Sequence, residues 1–470
     1  MADDRTSLPC ALRKRLPRPL IRFLGFAFLQ CWVLAVFSSF IPYGDNPARL
    51  PVGWLHCLSS LASILTACAV LLLTIRLVPM SRRKELGLLM AVAGSTGTLF
   101  VHLASKAAMP AWCGMVGLIL VAVCATWLHL SWQEYFSTQG AQAAVLGFAL
   151  ATIVGMLLFF ALGWFPRAVG VGVAVALPLA ADLSLRPHRG ARFYLRDETP
   201  SVKSTRDLCA DIAHDWSPRL MTVVSLVALA YGTMRASSVP SQSLSSVEFW
   251  LRFGGGLAAG SVVACLAVWS VQRGSVMRAF YVAIPLSALG VIVRALPFSG
   301  VPEASAFLGT CGFLLVNYLV WIVMLERAYS RKLPVLGLLA SLWTASYTGV
   351  LGGQLVALAW PVGAEFLNYL ALSALLAASL LLVSMNGKLT VSQTVLEASE
   401  ATSAAQRALE IAAEAKLSPR ETEILAIWLT GHNAAYIEDT LHISRNTVKT
   451  HLKHIYQKTG VESKEELLRK

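Results

Sequence analysis

The chain has 470 residues, of which 56% are hydrophobic and only 14% charged, with a formal net charge of +13. Soluble proteins carry about 25% charged residues, so composition excludes a string of soluble domains and favours one large membrane domain with a small appendage. Nine scattered cysteines without a CxxC pair point to neither a zinc site nor a disulfide framework, and read as small apolar residues.

Residues 1–19 form a basic N-terminal segment. Crossing a hydrocarbon core takes roughly 20 consecutive apolar residues. About twelve stretches qualify, near 20–42, 53–78, 86–104, 110–132, 142–163, 166–184, 219–239, 249–270, 277–297, 304–325, 334–358 and 362–384. The first is too long for a removable signal peptide and lacks a small-residue cleavage site. With the N-terminus inside, inner loops and flanks hold about 22 Lys and Arg against six outside, as the positive-inside rule demands. An even number of spans returns the C-terminus to the cytoplasm.

The hydrophilic stretch 185–218 separates two halves of six spans. This organisation resembles major facilitator transporters, which usually carry a Gly-x-x-x-Asp-Arg-x-Gly-Arg-like motif between spans two and three. Here that loop keeps Arg82-Arg83-Lys84 but lacks the glycine–aspartate part. Mid-span ionisable groups are few. Asp182, Glu326 and Glu365 fall near span ends, and His56, His102, Asn317 and Gln354 are the polar candidates in or near spans. Arg235, Arg252 and Arg294 lie toward the outer ends of spans seven to nine. Converging, they would hold an anionic small ligand bidentately; separately, they would snorkel to the interface.

No P-loop, His-Glu-x-x-His or Gly-x-Ser-x-Gly motif is present, so neither an enzyme nor a cofactor or metal site is expected. Residues 385–416 turn polar and helix-forming. Val391, Val395, Ala398, Thr402, Ala405, Leu409 and Ala412 recur at heptad spacing, a weak seam that would pair two linkers or else a solvated spacer.

Four short helices are expected in 417–470. Ser418-Pro-Arg-Glu421 combines an N-cap, a first-turn proline and a capping-box glutamate. Leu417, Ile424, Leu425 and Trp428 supply the apolar stripe, and Gly431 ends the helix. Asn433 caps the second helix, with Ile437 and Leu441 inward. Ser444 caps the third, which buries Val448, Leu452, Ile455 and Tyr456 and stops at Gly460. Ser463 to Glu466 opens the fourth. Helices two and three form a helix-turn-helix whose third helix enters the major groove. Between Leu441 and Val461 there are four basic residues, Arg445, Lys449, Lys453 and Lys458, and no acids, a segregation suited to phosphate contact.

Leu417-Ser-Pro-Arg-Glu421, Glu423-Ile-Leu425, Gly431, Leu441-His-Ile-Ser444, Thr447-Val-Lys449, His451, Ile455-Tyr456, Lys458 and Gly460-Val-Glu-Ser463 resemble the LuxR-type (NarL/GerE-like) DNA-binding domain. The resemblance implies base or groove contacts from Lys449, Thr450 and Lys453. It implies phosphate contacts from Ser444, Arg445, Asn446, Thr447, His454, Gln457 and Lys458, and dimerisation through the fourth helix. The family usually has alanine where Glu438 stands, so Glu438 must tilt outward or pair with Arg445 or Lys449.

The expected fold is all-α: a polytopic bundle of about twelve spans in two six-helix halves, plus a small four-helix LuxR-type domain. The expected divisions are 1–19, a membrane sensor domain 20–384, a helical linker 385–416 and a DNA-binding domain 417–470. The chain reads as a one-component regulator of the cytoplasmic membrane with both termini inside. Its expected partners are lipid, a small-molecule inducer, double-stranded promoter DNA bound as a homodimer, and RNA polymerase for an activator. A transporter with a regulatory tail and a constitutive tethered regulator remain as alternatives.

Overall fold

The computed structural model describes residues 23–37, 52–80, 83–137, 141–185, 218–237, 247–270, 276–294, 301–331, 335–359, 363–384, 404, 407–429, 434–441, 443–461 and 466–467. The basic N-terminal segment, the central loop and most of the linker lie outside them. Every secondary-structure element among the described residues is helical. The chain divides into two compact units, one of residues 1–138 and 145–391, the other of residues 139–144 and 392–470.

Among the described residues, twelve helices build the membrane unit: α1 (Leu24–Phe37), α2 (Val52–Leu77), α3 (Lys84–Ser105), α4 (Ala111–Ser137), α5 (Ala141–Leu162), α6 (Arg167–Leu185), α7 (Pro218–Ser237), α8 (Val247–Ser270), α9 (Val276–Arg294), α10 (Val301–Arg331), α11 (Val335–Ala359) and α12 (Ala364–Ser384). Each lies on one of the apolar stretches read from the sequence. By length and composition, eight helices among the described residues can cross a membrane; they lie within α2 to α6 and α10 to α12. Leu65, Leu72, Leu89, Leu157, Leu376 and Leu380 are exposed on the outside of the bundle. In water such a surface would aggregate; against lipid it is at home.

Inside, packing combines close helix approach with aromatic contact. α3 meets α4 where Gly97 and Gly117 face each other. A Cβ on Gly117 would sit 2.6 Å from the Gly97 carbonyl, so only glycine permits this crossing. Phe26 meets Phe136 edge-on at 5.2 Å, and Phe148 of α5 stacks on Trp321 of α10 at 4.6 Å. The second contact joins the two six-helix halves, as does the packing of α2 on α11.

The tail carries α13 (Pro419–Leu429), α14 (Ala434–Leu441) and α15 (Arg445–Thr459). Of the expected fourth helix, only 466–467 are described; they are helical, and Leu467 is fully buried. One core holds the tail together: Ala408, Ile411, Ile424, Leu425, Ile437, Val448, Leu452, Ile455, Val461 and Leu467. Ala408 and Ile411 belong to the linker, whose residues 407–415 are helical. Five of the seven seam positions, Val391, Val395, Ala398, Thr402 and Ala405, lie outside the described residues. Leu409 and Ala412 are only half-buried, whereas Ala404, Ala408 and Ile411, one position earlier, turn inward. Ala408 and Ile411 pack in the core of their own tail. The linker helix ends at Lys416, in the left-handed region with φ 51°, and the Leu417 N–H closes back on the Ala412 carbonyl at 3.1 Å.

Candidate DNA-binding face and membrane cavity

Local sequence sets the start of α13 and both ends of α15, while the expected stop at Gly431 and the caps at Asn433 and Ser463 lie outside the described residues. The Ser418 N–H donates to Glu421 Oε2 at 2.7 Å while the Glu421 N–H donates to Ser418 Oγ at 3.2 Å, a closed capping box. Ser444, in extended conformation, accepts the Thr447 N–H at 3.2 Å and starts α15. Gly460, at φ 68°, stops it, with its N–H on the Tyr456 carbonyl. Trp428 of α13 donates its indole N–H to the Tyr456 hydroxyl at 3.0 Å. Arg420 of α13 reaches the Leu441 carbonyl at 3.2 Å, capping the C-terminal end of α14.

These supports fix the roll of α15. Val448, Leu452, Ile455 and Thr459 face the core. Ser444, Arg445, Asn446, Thr447, Lys449, Thr450, Lys453, His454, Gln457 and Lys458 are all exposed. Arg445, Lys449, Lys453 and Gln457 recur at four-residue spacing, one row about 18 Å long on a helix rising 1.5 Å per residue. The helix carries no carboxylate. Among the described residues, Arg445, Lys449 and Lys453 make no ion pair.

Lys458 differs. Its ammonium lies 3.0 and 2.7 Å from the two Glu421 carboxylate oxygens, joining the end of α15 to the start of α13. Sequence reasoning assigned it to phosphate and missed this partner 37 positions away. The Lys458 ammonium, with the capping Ser418 N–H, holds the buried Glu421 carboxyl down at about 2, well below its ordinary value. Glu438 is half-exposed and, among the described residues, pairs with neither Arg445 nor Lys449. Its half-exposure fits the outward tilt expected of it.

The membrane unit encloses a cavity of about 310 Å³ between its two halves, lined from α1, α2, α4 and α5 on one side and α7, α8, α10 and α11 on the other. Ten of its thirty lining residues are Phe, Tyr or Trp, and they stand among polar side chains such as Gln30, Ser63, Gln133 and Thr310. The rings of Tyr231 and Phe313 lie parallel at 3.8 Å, and Trp343 stacks on Tyr347 at 5.3 Å. Several polar groups are satisfied within the wall: Ser60 donates to Gln354 Oε1 at 3.0 Å, Trp343 to Gln133 Oε1 at 3.0 Å, and Ser346 to Asn317 Oδ1 at 3.3 Å.

Of the three arginines singled out, Arg235 lines the cavity, donating to the Phe37 carbonyl at 2.8 Å and to His56 Nδ1 at 3.5 Å. Arg294 reaches the Met234 carbonyl at 3.4 Å, beside Arg235 in sequence, and does not line the cavity among the described residues. The Arg252 side chain lies outside the described residues. His129 and Gln133 of the cavity wall, and buried Glu134, whose Oε1 accepts the Met80 N–H at 3.1 Å, escaped sequence reasoning.

Residues 415–470 match the family described as bacterial regulatory proteins, luxR family. The tail is a LuxR-family helix-turn-helix domain. The LuxR-type match leaves the membrane unit uncovered. There, solved structures supply the likeness. A bacterial homologue of the iron transporter ferroportin, in an outward-facing state, superposes with a TM-score of 0.54 at 14% identity, over 78% of this chain and 98% of its own. The human organic anion transporter MFSD10 (TETRAN) gives 0.53 at 15% identity, over 80% and 100%. The major facilitator superfamily proton:xylose symporter XylE gives 0.51 at 11% identity, over 78% and 93%. At such identities the likeness is one of fold: the unit is major-facilitator-like, and the chain is a multi-pass membrane protein. No curated protein sequence matches the chain.

Proposed function

We propose that this protein is a membrane-embedded, one-component transcription regulator. The observation that carries the reading is the exposed, acid-free face of α15 on a LuxR-family tail, joined in one chain to a major-facilitator-like unit with an internal cavity. Lys449, Thr450 and Lys453 read base edges in the major groove, while Ser444, Arg445, Asn446, Thr447, His454 and Gln457 hold phosphates. Lys458 reaches phosphate only by leaving Glu421, so it contributes least. Two tails act as a homodimer on paired half-sites, and an activator would also engage RNA polymerase.

The membrane unit, residues 20–384, lies in the cytoplasmic membrane with both termini inside and senses a small molecule in its cavity. The ligand shifts the balance between two arrangements of the six-helix halves by no more than its differential affinity for them. The folded DNA-binding unit starts near residue 404, ahead of the boundary at 417, because Ala408 and Ile411 share its core.

Reporter transcription measured with the spans intact and deleted tests this reading. Inducer-dependent output should require the spans; identical regulation without them would reduce the membrane unit to an anchor. A transporter with a regulatory tail is the second reading, and the cavity itself favours it. Against it, no carboxylate lines that cavity among the described residues to carry a coupling proton. Uptake above background by the protein in vesicles would reverse the order of the two.

A further inference from the structure

The cations of α15 are open to any polyanion that reaches them. Arg445, Lys449 and Lys453 are exposed, make no ion pair among the described residues, and stand on a helix without a carboxylate. Successive members of the row lie about 6 Å apart along the axis, inside the Debye length of about 8 Å at physiological salt, so they act as one field. Exposed carboxylates such as Glu410, Glu414 and Glu423 are kept to the linker helix and α13. The other exposed side chains of α15, Asn446, Thr447, Thr450, His454, Gln457 and Lys458, are all polar. A face of this kind adsorbs to a charged interface without inserting an apolar side into the acyl region. The chain itself brings such an interface within reach. α12, long and apolar enough to cross a membrane, ends at Ser384, and the described linker helix begins at Arg407. The 22 residues between, 385–406, reach at most about 80 Å at full stretch. Tethering turns adsorption into an intramolecular event with an effective concentration of millimolar order.

We propose that the α15 face docks on anionic phospholipid headgroups of the membrane that carries it, so that lipid and DNA exclude each other from that face. This rests on the reading of the tail as a cytoplasmic DNA binder and adds the surface that competes with DNA. Headgroup phosphates present the same oxyanions as a DNA backbone, and the cytoplasmic leaflet is rich in them. Each Lys or Arg close to an anionic leaflet multiplies adsorption about fivefold, so the three cations together give about a hundredfold. Lipid at that strength competes with random-sequence DNA, whose dissociation constants lie at about 10⁻⁴–10⁻⁶ M. An operator, bound about 10³–10⁷ more tightly, wins the face. The leaflet acts as a filter against non-specific DNA, and its anionic lipid content sets the strength of the filter.

The test uses the full chain in nanodiscs, with a donor dye ligated to its C-terminus and an acceptor dye on the headgroup of a trace lipid. Energy transfer in phosphatidylcholine discs gives the undocked level. Discs with about 30% phosphatidylglycerol should raise it at about 50 mM salt, and about 300 mM salt should remove the rise. Replacing Arg445, Lys449 and Lys453 together by glutamine should lower the docked-to-free ratio about a hundredfold and return transfer to the phosphatidylcholine level. Lys449→Arg with Lys453→Arg keeps both charges and should dock as the parent does, which separates lost charge from a disturbed fold. Excess mixed-sequence duplex should lower transfer in the phosphatidylglycerol discs. Equal transfer in the two kinds of disc, a rise that the triple glutamine variant retains, or a rise that bound duplex leaves unchanged overturns the proposal. Duplex binding in phosphatidylcholine discs is scored apart. Binding there without any lipid effect sinks the docking alone, whereas docking with no duplex binding in either disc leaves lipid as the partner of the face and sinks the DNA reading.

Discussion

Replacing Glu421 with glutamine isolates the ion pair that joins α13 to α15. Glutamine keeps an oxygen for the Ser418 N–H, so the capping box survives and only the charge is lost. A carboxyl held at about 2 instead of its ordinary 4.5 contributes up to about 3 kcal/mol. Lys458 is 42% exposed on its side chain, so water screens the pair and the working figure falls to about 2 kcal/mol. The sign follows from a depressed folded-state value: the contribution is complete above pH 4.5 and disappears as pH falls through about 2. Urea and thermal unfolding of residues 404–470 at pH 7 and down to pH 2 reads both effects. At neutral pH the Glu421→Gln tail should be about 2 kcal/mol less stable, a drop in Tm of roughly 10 °C for a domain this size. Between pH 4.5 and 2 the parent should lose about 2 kcal/mol more than the variant. Equal stability at pH 7, or identical acid slopes, would refute the reasoning.

Two further expectations concern the start of the tail. Lys416 sits at φ 51°, where a side chain is disfavoured and glycine is not, so Lys416→Gly should stabilise the tail by about 1 kcal/mol in the same unfolding assay. Ile411 is 6% exposed in the tail core, so Ile411→Ala should cost about 2–4 kcal/mol; a loss below about 0.5 would return the linker to a solvated spacer.

What the sequence revealed divides along the range of the interactions. The caps at Ser418, Ser444 and Gly460 act within a turn, so their residues announce them. The twelve apolar stretches are likewise legible, because lipid imposes length and polarity segment by segment. The linker register was not, since Ala404, Ala405, Ala408 and Ala412 are interchangeable to a pattern search, and only the neighbouring core picks 408 and 411. Glu134 and His129 hid in a run expected to end at 132. α4 continues to Ser137 with its last turns buried; Glu134 takes its Met80 N–H partner from tertiary packing, whereas His129 Nδ1 pairs with the Ala125 carbonyl one turn back. The Lys458–Glu421 pair and the Arg235–His56 corner join residues 37 and 179 positions apart, and no local rule anticipates either.

The central claim is that the cationic face of α15 grips duplex DNA, and the salt dependence of that grip tests it most directly. Fluorescence anisotropy of residues 404–470 on a labelled duplex, from 50 to 300 mM salt, should give log K falling linearly with log salt. Replacing Arg445, the cation assigned to phosphate, by alanine should flatten the slope by about 1 per tail. Binding that is absent at every salt concentration, or a slope that the Arg445 substitution leaves unchanged, would contradict the account.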